Sequence, residues 1–170
     1  MPNVSPTKAA EELMEFLRNE LEQYGQMLAL LNQQQESIIS RATEDVFRSA
    51  SIIQEQTEKL KDVRSKREKC QTNIIQAWEK PADTPITQLI ALFPEKFRSA
   101  LEALIQENNQ LLTRIQQRVR QNHILLSRSL ELMHQMVSAL IPAAGIGTYN
   151  GAGQEARPET LPRILYDAVG

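Results

Sequence analysis

Glycine is almost missing from the first 144 residues of this chain: Gly25 stands alone there, and the other five glycines lie at or after Gly145. That leaves no glycine-rich phosphate loop, and no strand pattern accompanies one. Aromatic residues make up 5% of the chain and apolar residues 41%. Such a mixture, rich in Gln, Glu, Arg, Leu and Ile, suits long amphipathic helices better than a compact core. Cys70 is the single cysteine, so no intrachain disulfide can form, which fits a reducing compartment. Net charge is -2, too small to draw in nucleic acid or an anionic membrane. No apolar run approaches the roughly 18 residues of a membrane span. The start, "MPNVSPTKAAEELMEF", lacks the basic-then-apolar layout of a secretory signal. These absences predict a soluble, cytoplasmic, all-α protein.

What is present is heptad periodicity. Ser5-Pro6 opens a first helix, with Ser as cap and Pro at the first helical position. Its apolar stripe is Ala10, Met14, Leu17, Leu21, Tyr24, Leu28 and Leu31, with Gln35 and Ile38 in phase. A turn falls within residues 37–43. Thr43-Glu44-Asp45 then reads as a cap followed by two acids that the helix dipole favours. The second seam runs Val46, Ser49, Ile53, Gln56, Leu60, Val63, Arg67, Cys70, Ile74, Ala77. Residues 11–22 hold five Glu and one Arg, whereas 59–69 hold six Lys/Arg and two acids. An antiparallel hairpin folded about residue 41 would set these blocks against each other, fixing register more than stability.

Pro81 ends the second helix, and Thr84-Pro85 opens a short one whose apolar face is Ile86, Leu89, Ile90 and Phe93. Pro94 starts a long last helix with no internal Gly or Pro; at 1.5 Å per residue it would measure roughly 70 Å. The expected fold is all-α and elongated: an antiparallel helical hairpin, a short helix and one long C-terminal helix, forming a three-helix coiled-coil-like bundle. Residues 1–141 form the bundle, with helices at about 6–39, 43–79, 85–92 and 95–140. Residues 142–170 form a flexible tail containing Gly and Pro.

Three columns repeat every seven residues along the last helix. Ile105, Leu112, Val119, Leu126 and Met133 form one, and Leu104, Leu111, Arg118, Leu125 and Leu132 another. Between them lies Leu101, Asn108, Ile115, Asn122, Ser129, Met136. Two readings of this interrupted centre line stand side by side. Polar layers fix register in a helical seam. They also keep an apolar groove soluble when its partner is absent.

Catalytic chemistry is not expected. Glu131-Leu132-Met133-His134 has the Glu-x-x-His spacing of di-iron bundles, but such a site needs a second motif, and His123 is preceded at that spacing by Arg120. Cys70 lies on the seam and reads as a small apolar residue despite Arg67 and Lys69. No metal or cofactor is expected. Arg114, Arg118, Arg120 and Arg128, in a stretch without acids, leave a nucleic-acid-binding bundle as one alternative. A structural, self-associating coiled coil is another.

The stretch "ENNQLLTRIQQRVRQNHILLSRSLELMHQMVSAL", with its N-x-x-L-L, is followed by "GTYNGAGQ", a T-Y-x-x-x-G. Together with the helical layout, these resemble the FlgN family of flagellar type III export chaperones. The resemblance implies a cytoplasmic chaperone for hook-associated junction proteins. It would bind their C-terminal helical segments, prevent premature assembly and deliver them to the export gate. By position, Asn108, Leu111, Leu112, Ile115, Val119, Asn122, Leu125 and Leu126 would form the cargo face. Tyr149 would dock on the gate's FlhA-like cytoplasmic domain.

Overall fold

A computed structural model describes residues 5–140 of the chain. Four helices follow one another: α1 Pro6–Ile39, α2 Thr43–Ala77, α3 Ile86–Ile90 and α4 Glu95–Leu140. No strand occurs among the described residues. The packing below concerns the unit that ends at Leu130.

Both long-helix ends close without glycine. Arg41 adopts φ 58° and Glu79 φ 52°, the left-handed conformation usually left to Gly. Ala42 N–H reaches Ser37 O at 2.9 Å while Arg41 N–H reaches Ile38 O at 3.2 Å. The end of α2 repeats this: Lys80 N–H to Ile75 O at 3.0 Å, Glu79 N–H to Gln76 O at 3.2 Å. These paired bonds are Schellman motifs, and they satisfy helix carbonyls that would otherwise lack donors. The caps expected from sequence are corrected here. Neither Ser5 nor Thr43 makes a side-chain cap bond; Thr43 is already helical, with Ala42 preceding it. Glu44 and Asp45 do occupy the first turn of α2.

α1 carries two stripes, because it has two long neighbours. The expected line Ala10, Leu17, Tyr24, Leu31, Ile38 is buried. A second line, Leu13, Glu20, Met27, Gln34, is buried as well. Sequence periodicity missed it because Glu20 and Gln34 interrupt it. Each finds a partner: Glu20 accepts from Arg67 and Tyr24, and Gln34 Oε1 accepts from Asn122 Nδ2 at 3.1 Å. A buried polar group so satisfied does not incur the full desolvation penalty.

The α1–α2 hairpin is antiparallel, and Gln56 fastens it by donating to Gln23 O and Gln23 Oε1 at 3.1 and 3.0 Å. The opposed charge blocks contribute less than their composition promised. Among the described residues, Glu20–Arg67 at 2.7 Å is the ion pair that crosses between helices. Several other basic residues of α2 pair within it, Lys61 with Glu58, Lys66 with Asp62 and Arg64 with Glu68. Such exposed i,i+3 and i,i+4 pairs each contribute only about 0.3–0.5 kcal/mol.

α4 runs parallel to α1. Asn108 Nδ2 donates to Leu17 O at 3.0 Å and Asn122 Nδ2 to Leu31 O at 2.9 Å, each across 91 residues of sequence. The repeat of one offset, two heptads apart, fixes the register of the whole seam. Between these polar layers Ile115 packs with Tyr24, Met27, Leu28 and Leu31. At the other end of the bundle, Leu13, Leu89, Phe93 and Leu101 are fully buried, worth roughly 1.5–3 kcal/mol each relative to exposure. α3 contributes Leu89 and Ile90 to that end, and beyond it Trp78 meets Phe93 edge-on at 4.9 Å while Arg98 Nε donates to Phe93 O at 2.9 Å. α3 is shorter than its pattern suggested, and Leu92, just beyond it, is 45% exposed.

Candidate partner-binding face of α4

The centre line of α4 is the part held by α1. Leu101, Asn108, Ile115 and Asn122 are buried, whereas Ser129 is exposed. The α1–α4 offset would bring Ser129 opposite Ile38, one residue before α1 ends. Of the eight residues expected on the cargo face, Asn108, Ile115 and Asn122 therefore lie under α1. Leu111, Leu112, Leu125 and Leu126 flank them half-buried, and Val119 is 47% exposed. The column Ile105, Leu112, Val119, Leu126 forms an apolar edge that α1 only partly covers. Tyr149 lies outside the described residues.

Sequence reasoning left out one stretch. Leu130 is exposed, and within the last turns of α4 so are Leu132, Met133, Met136 and Val137, the methionines at 60% and 63%. The columns contain several of these residues. What the pattern did not reveal was that burial stops at Asn122 and Leu126. Methionine suits a surface that must adapt to more than one partner shape, because its side chain is unbranched and polarizable.

Beside the apolar edge lies a notch of about 250 Å³ between α1, α2, α3 and α4. Its floor holds Glu20, whose two oxygens are spoken for: Tyr24 OH donates to Oε1 at 3.0 Å and Arg67 Nε to Oε2 at 2.7 Å. Burial, and next the negative charge of Glu20, push the Tyr24 phenol up to about 12. Tyr24 therefore remains a proton donor to Glu20 at neutral pH. A wider groove of about 690 Å³ continues over the polar side of α4, past Thr87, Asn109, Thr113 and Arg114.

Other titratable groups show no catalytic arrangement. Burial, with Glu12 adding to it, pushes the Cys70 thiol up to about 11, so it is not a nucleophile at neutral pH. Glu131, His134 and His123 are exposed. Among the described residues no cluster of three His, Cys, Asp or Glu could hold a metal ion. Arg118 turns inward and donates to Gln35 of α1, while Arg114, Arg120 and Arg128 are exposed. No described helix is long and apolar enough to cross a membrane.

The described residues form a helical bundle with a partly buried apolar edge along α4. A family model described as FlgN protein matches residues 1–157. The chain belongs to the FlgN family, whose members are chaperones of flagellar biogenesis. No match was found among curated proteins or among solved structures.

Proposed function

We propose that the chain is a cytoplasmic export chaperone that binds the C-terminal helical segments of hook-associated junction proteins and delivers them to the type III export gate. The observation that carries this reading is the open edge of α4. Ile105, Leu112, Val119 and Leu126 continue the repeat of the buried seam, yet α1 covers them only in part. An amphipathic cargo helix laid along that edge would bury them in the helix-in-groove mode. Asn108, Ile115 and Asn122 hold the face in place beneath the cargo, and Leu111 and Leu125 form its opposite margin. Leu130, exposed at the end of this unit, extends the contact. A cargo terminus that is disordered until bound loses affinity to ordering, which makes release at the gate feasible. Tyr149 is the gate anchor in this reading, a rigid apolar ring with a polar tip.

Calorimetry with a synthetic peptide of a junction protein's C-terminal segment tests the cargo face. Micromolar or tighter binding is expected, and Leu112→Asp with Leu126→Asp should weaken it at least 30-fold while helicity is kept. Unchanged affinity in the folded double variant would refute the assignment. A parallel arm with Tyr149→Ala should retain the peptide and lose retention on the gate's cytoplasmic domain; loss of both together would remove Tyr149 as a separate anchor.

A further inference from the structure

α4 carries its charges unevenly. Between Glu95 and Glu107 it holds three acids and the bases Lys96 and Arg98. From Asn108 to Leu130 it holds no acid, while Arg114, Arg118, Arg120 and Arg128 add four positive charges. Arg118 turns inward to Gln35, and the other three are exposed. The rest of the bundle leaves them uncompensated. Among the described residues every ion pair lies within α2 or joins Arg67 to Glu20, and none includes a residue of α4. Across the notch, Lys61, Arg64 and Lys66 of α2 are offset by their own helix's acids.

These charges share one side of α4. Glu102 and Arg114 both line the groove of about 690 Å³, roughly 18 Å apart along the helix at 1.5 Å per residue. Gln106, Asn109 and Thr113 between them are uncharged. Heptad spacing carries the same side onward: Arg120 repeats the position of Thr113, Ile124 that of Gln117, and Arg128 that of Arg114 by two heptads. Ile124 is 48% exposed, so this side offers apolar contact as well as charge. Ile105 belongs to both the groove and the apolar edge, and Asn109 neighbours Ile105 and Leu112 on the helix surface. A helix seated on the edge therefore has this charged side along its flank.

The apolar edge does not distinguish the two ends of a partner, because Ile105, Leu112, Val119 and Leu126 repeat alike in either direction. The charges do. A helix ends in unpaired carbonyls equivalent to about half a negative charge, and a chain terminus adds a carboxylate; its amino end is correspondingly positive. We infer that the bound cargo helix runs parallel to α4, with its terminal carboxylate over the stretch Arg114 to Arg128 and its amino end toward Glu102. The inference rests on the cargo reading above and adds a direction to it. Electrostatic complementarity of this kind fixes orientation more than affinity. A nucleic-acid strand would be drawn by the same arginines, but it would meet Glu102 in the groove and find no aromatic side chain from Asn108 to Leu130 on which to stack.

Calorimetry and cross-linking test this direction. The probe is the synthetic C-terminal peptide of a junction protein, made with a free carboxylate and with a terminal amide. At low salt the amide should bind the natural chain about threefold more weakly, and the difference should shrink as salt is raised. In a variant carrying Arg114→Gln, Arg120→Gln and Arg128→Gln, all at exposed sites, the two peptides should bind alike. A photoreactive benzophenone on the last peptide residue should cross-link between Arg114 and Leu130, and one on the first residue nearer Glu102. Equal affinities on the natural chain, a difference that survives in the variant, or the reverse cross-linking pattern would overturn the inference and leave the cargo reading standing. A short single-stranded oligonucleotide that displaces both peptides from the natural chain, but does not bind the variant, would reassign the arginines to nucleic acid and overturn the inference as well. No binding of either peptide would overturn the cargo reading, and this inference with it.

Discussion

Asn108→Leu should make the free protein more stable, although it deletes two hydrogen bonds. The substitution removes the donorless Oδ1, whose burial costs about 1–3 kcal/mol. It also places an apolar group of similar size beside Leu17 and Ile105. Against this stand the bonds from Nδ2 to Leu17 O and Leu104 O, together about 2 kcal/mol. Their loss strands nothing, because both carbonyls lie inside helices and keep their i+4 amide partners. These two terms roughly offset, and the added apolar contact contributes about 1 kcal/mol, which sets the balance at a gain of about 1 kcal/mol. With a urea slope of about 2 kcal/mol/M, the midpoint of unfolding followed by circular dichroism at 222 nm should rise about 0.5 M at constant slope. Asn122→Leu should gain less, since it leaves Gln34 Oε1 without its donor. Asn108→Asp should lose at least 2 kcal/mol, because it sets a carboxylate against two carbonyls. A lowered midpoint for Asn108→Leu, with unchanged slope, would refute the reasoning. It would mean that Oδ1 is satisfied in solution and that the polar layer stabilises the seam.

Arg41→Gly and Glu79→Gly should each raise stability by about 0.5–1 kcal/mol in the same assay, because they relieve a left-handed residue that bears a Cβ; Ala at either position should not. Tyr24 makes stability depend on pH at the alkaline end. Its folded pKa of about 12 lies above the ordinary value of 10, so its contribution is complete below pH 10 and is lost as pH rises toward 12. Tyr24→Phe should flatten that part of the stability profile, and an unchanged profile would exclude Tyr24 as its source.

Much of the fold could be read from periodicity. The heptad columns of α4 identified its centre line, and the structure buries that line from Leu101 to Asn122. The polar interruptions also serve as register pins, each tied to an α1 carbonyl. Other features were hidden for identifiable reasons. The second stripe of α1 is broken by Glu20 and Gln34, and hydrophobic periodicity cannot see a polar residue whose partner lies on another helix. The helix ends lacked a signal because Arg41 and Glu79 stand where glycine would announce a Schellman motif. Charge blocks misled in detail: facing composition does not specify pairing, and most α2 bases found acids one turn away. The notch was beyond sequence, since Asn108, Arg64 and Leu17 come from three helices. For the expected cargo face, the pattern did not separate residues under α1 from those beside it.

The single offset of 91 residues between α1 and α4 also imposes an order of assembly. The hairpin closes across a short turn, Ser40 to Ala42, so its loop entropy is small and its contacts are local. The α1–α4 seam can form only after the hairpin and the connector through α3 have been made, and a contact of such sequence separation forms late. On the ribosome, α1 and α2 are complete before the second half of α4 has been synthesised. In that interval the Leu17–Leu31 side of α1 lacks its native cover. The nascent chaperone thus passes through a stage in which it presents an unpaired helical surface of its own to the cell.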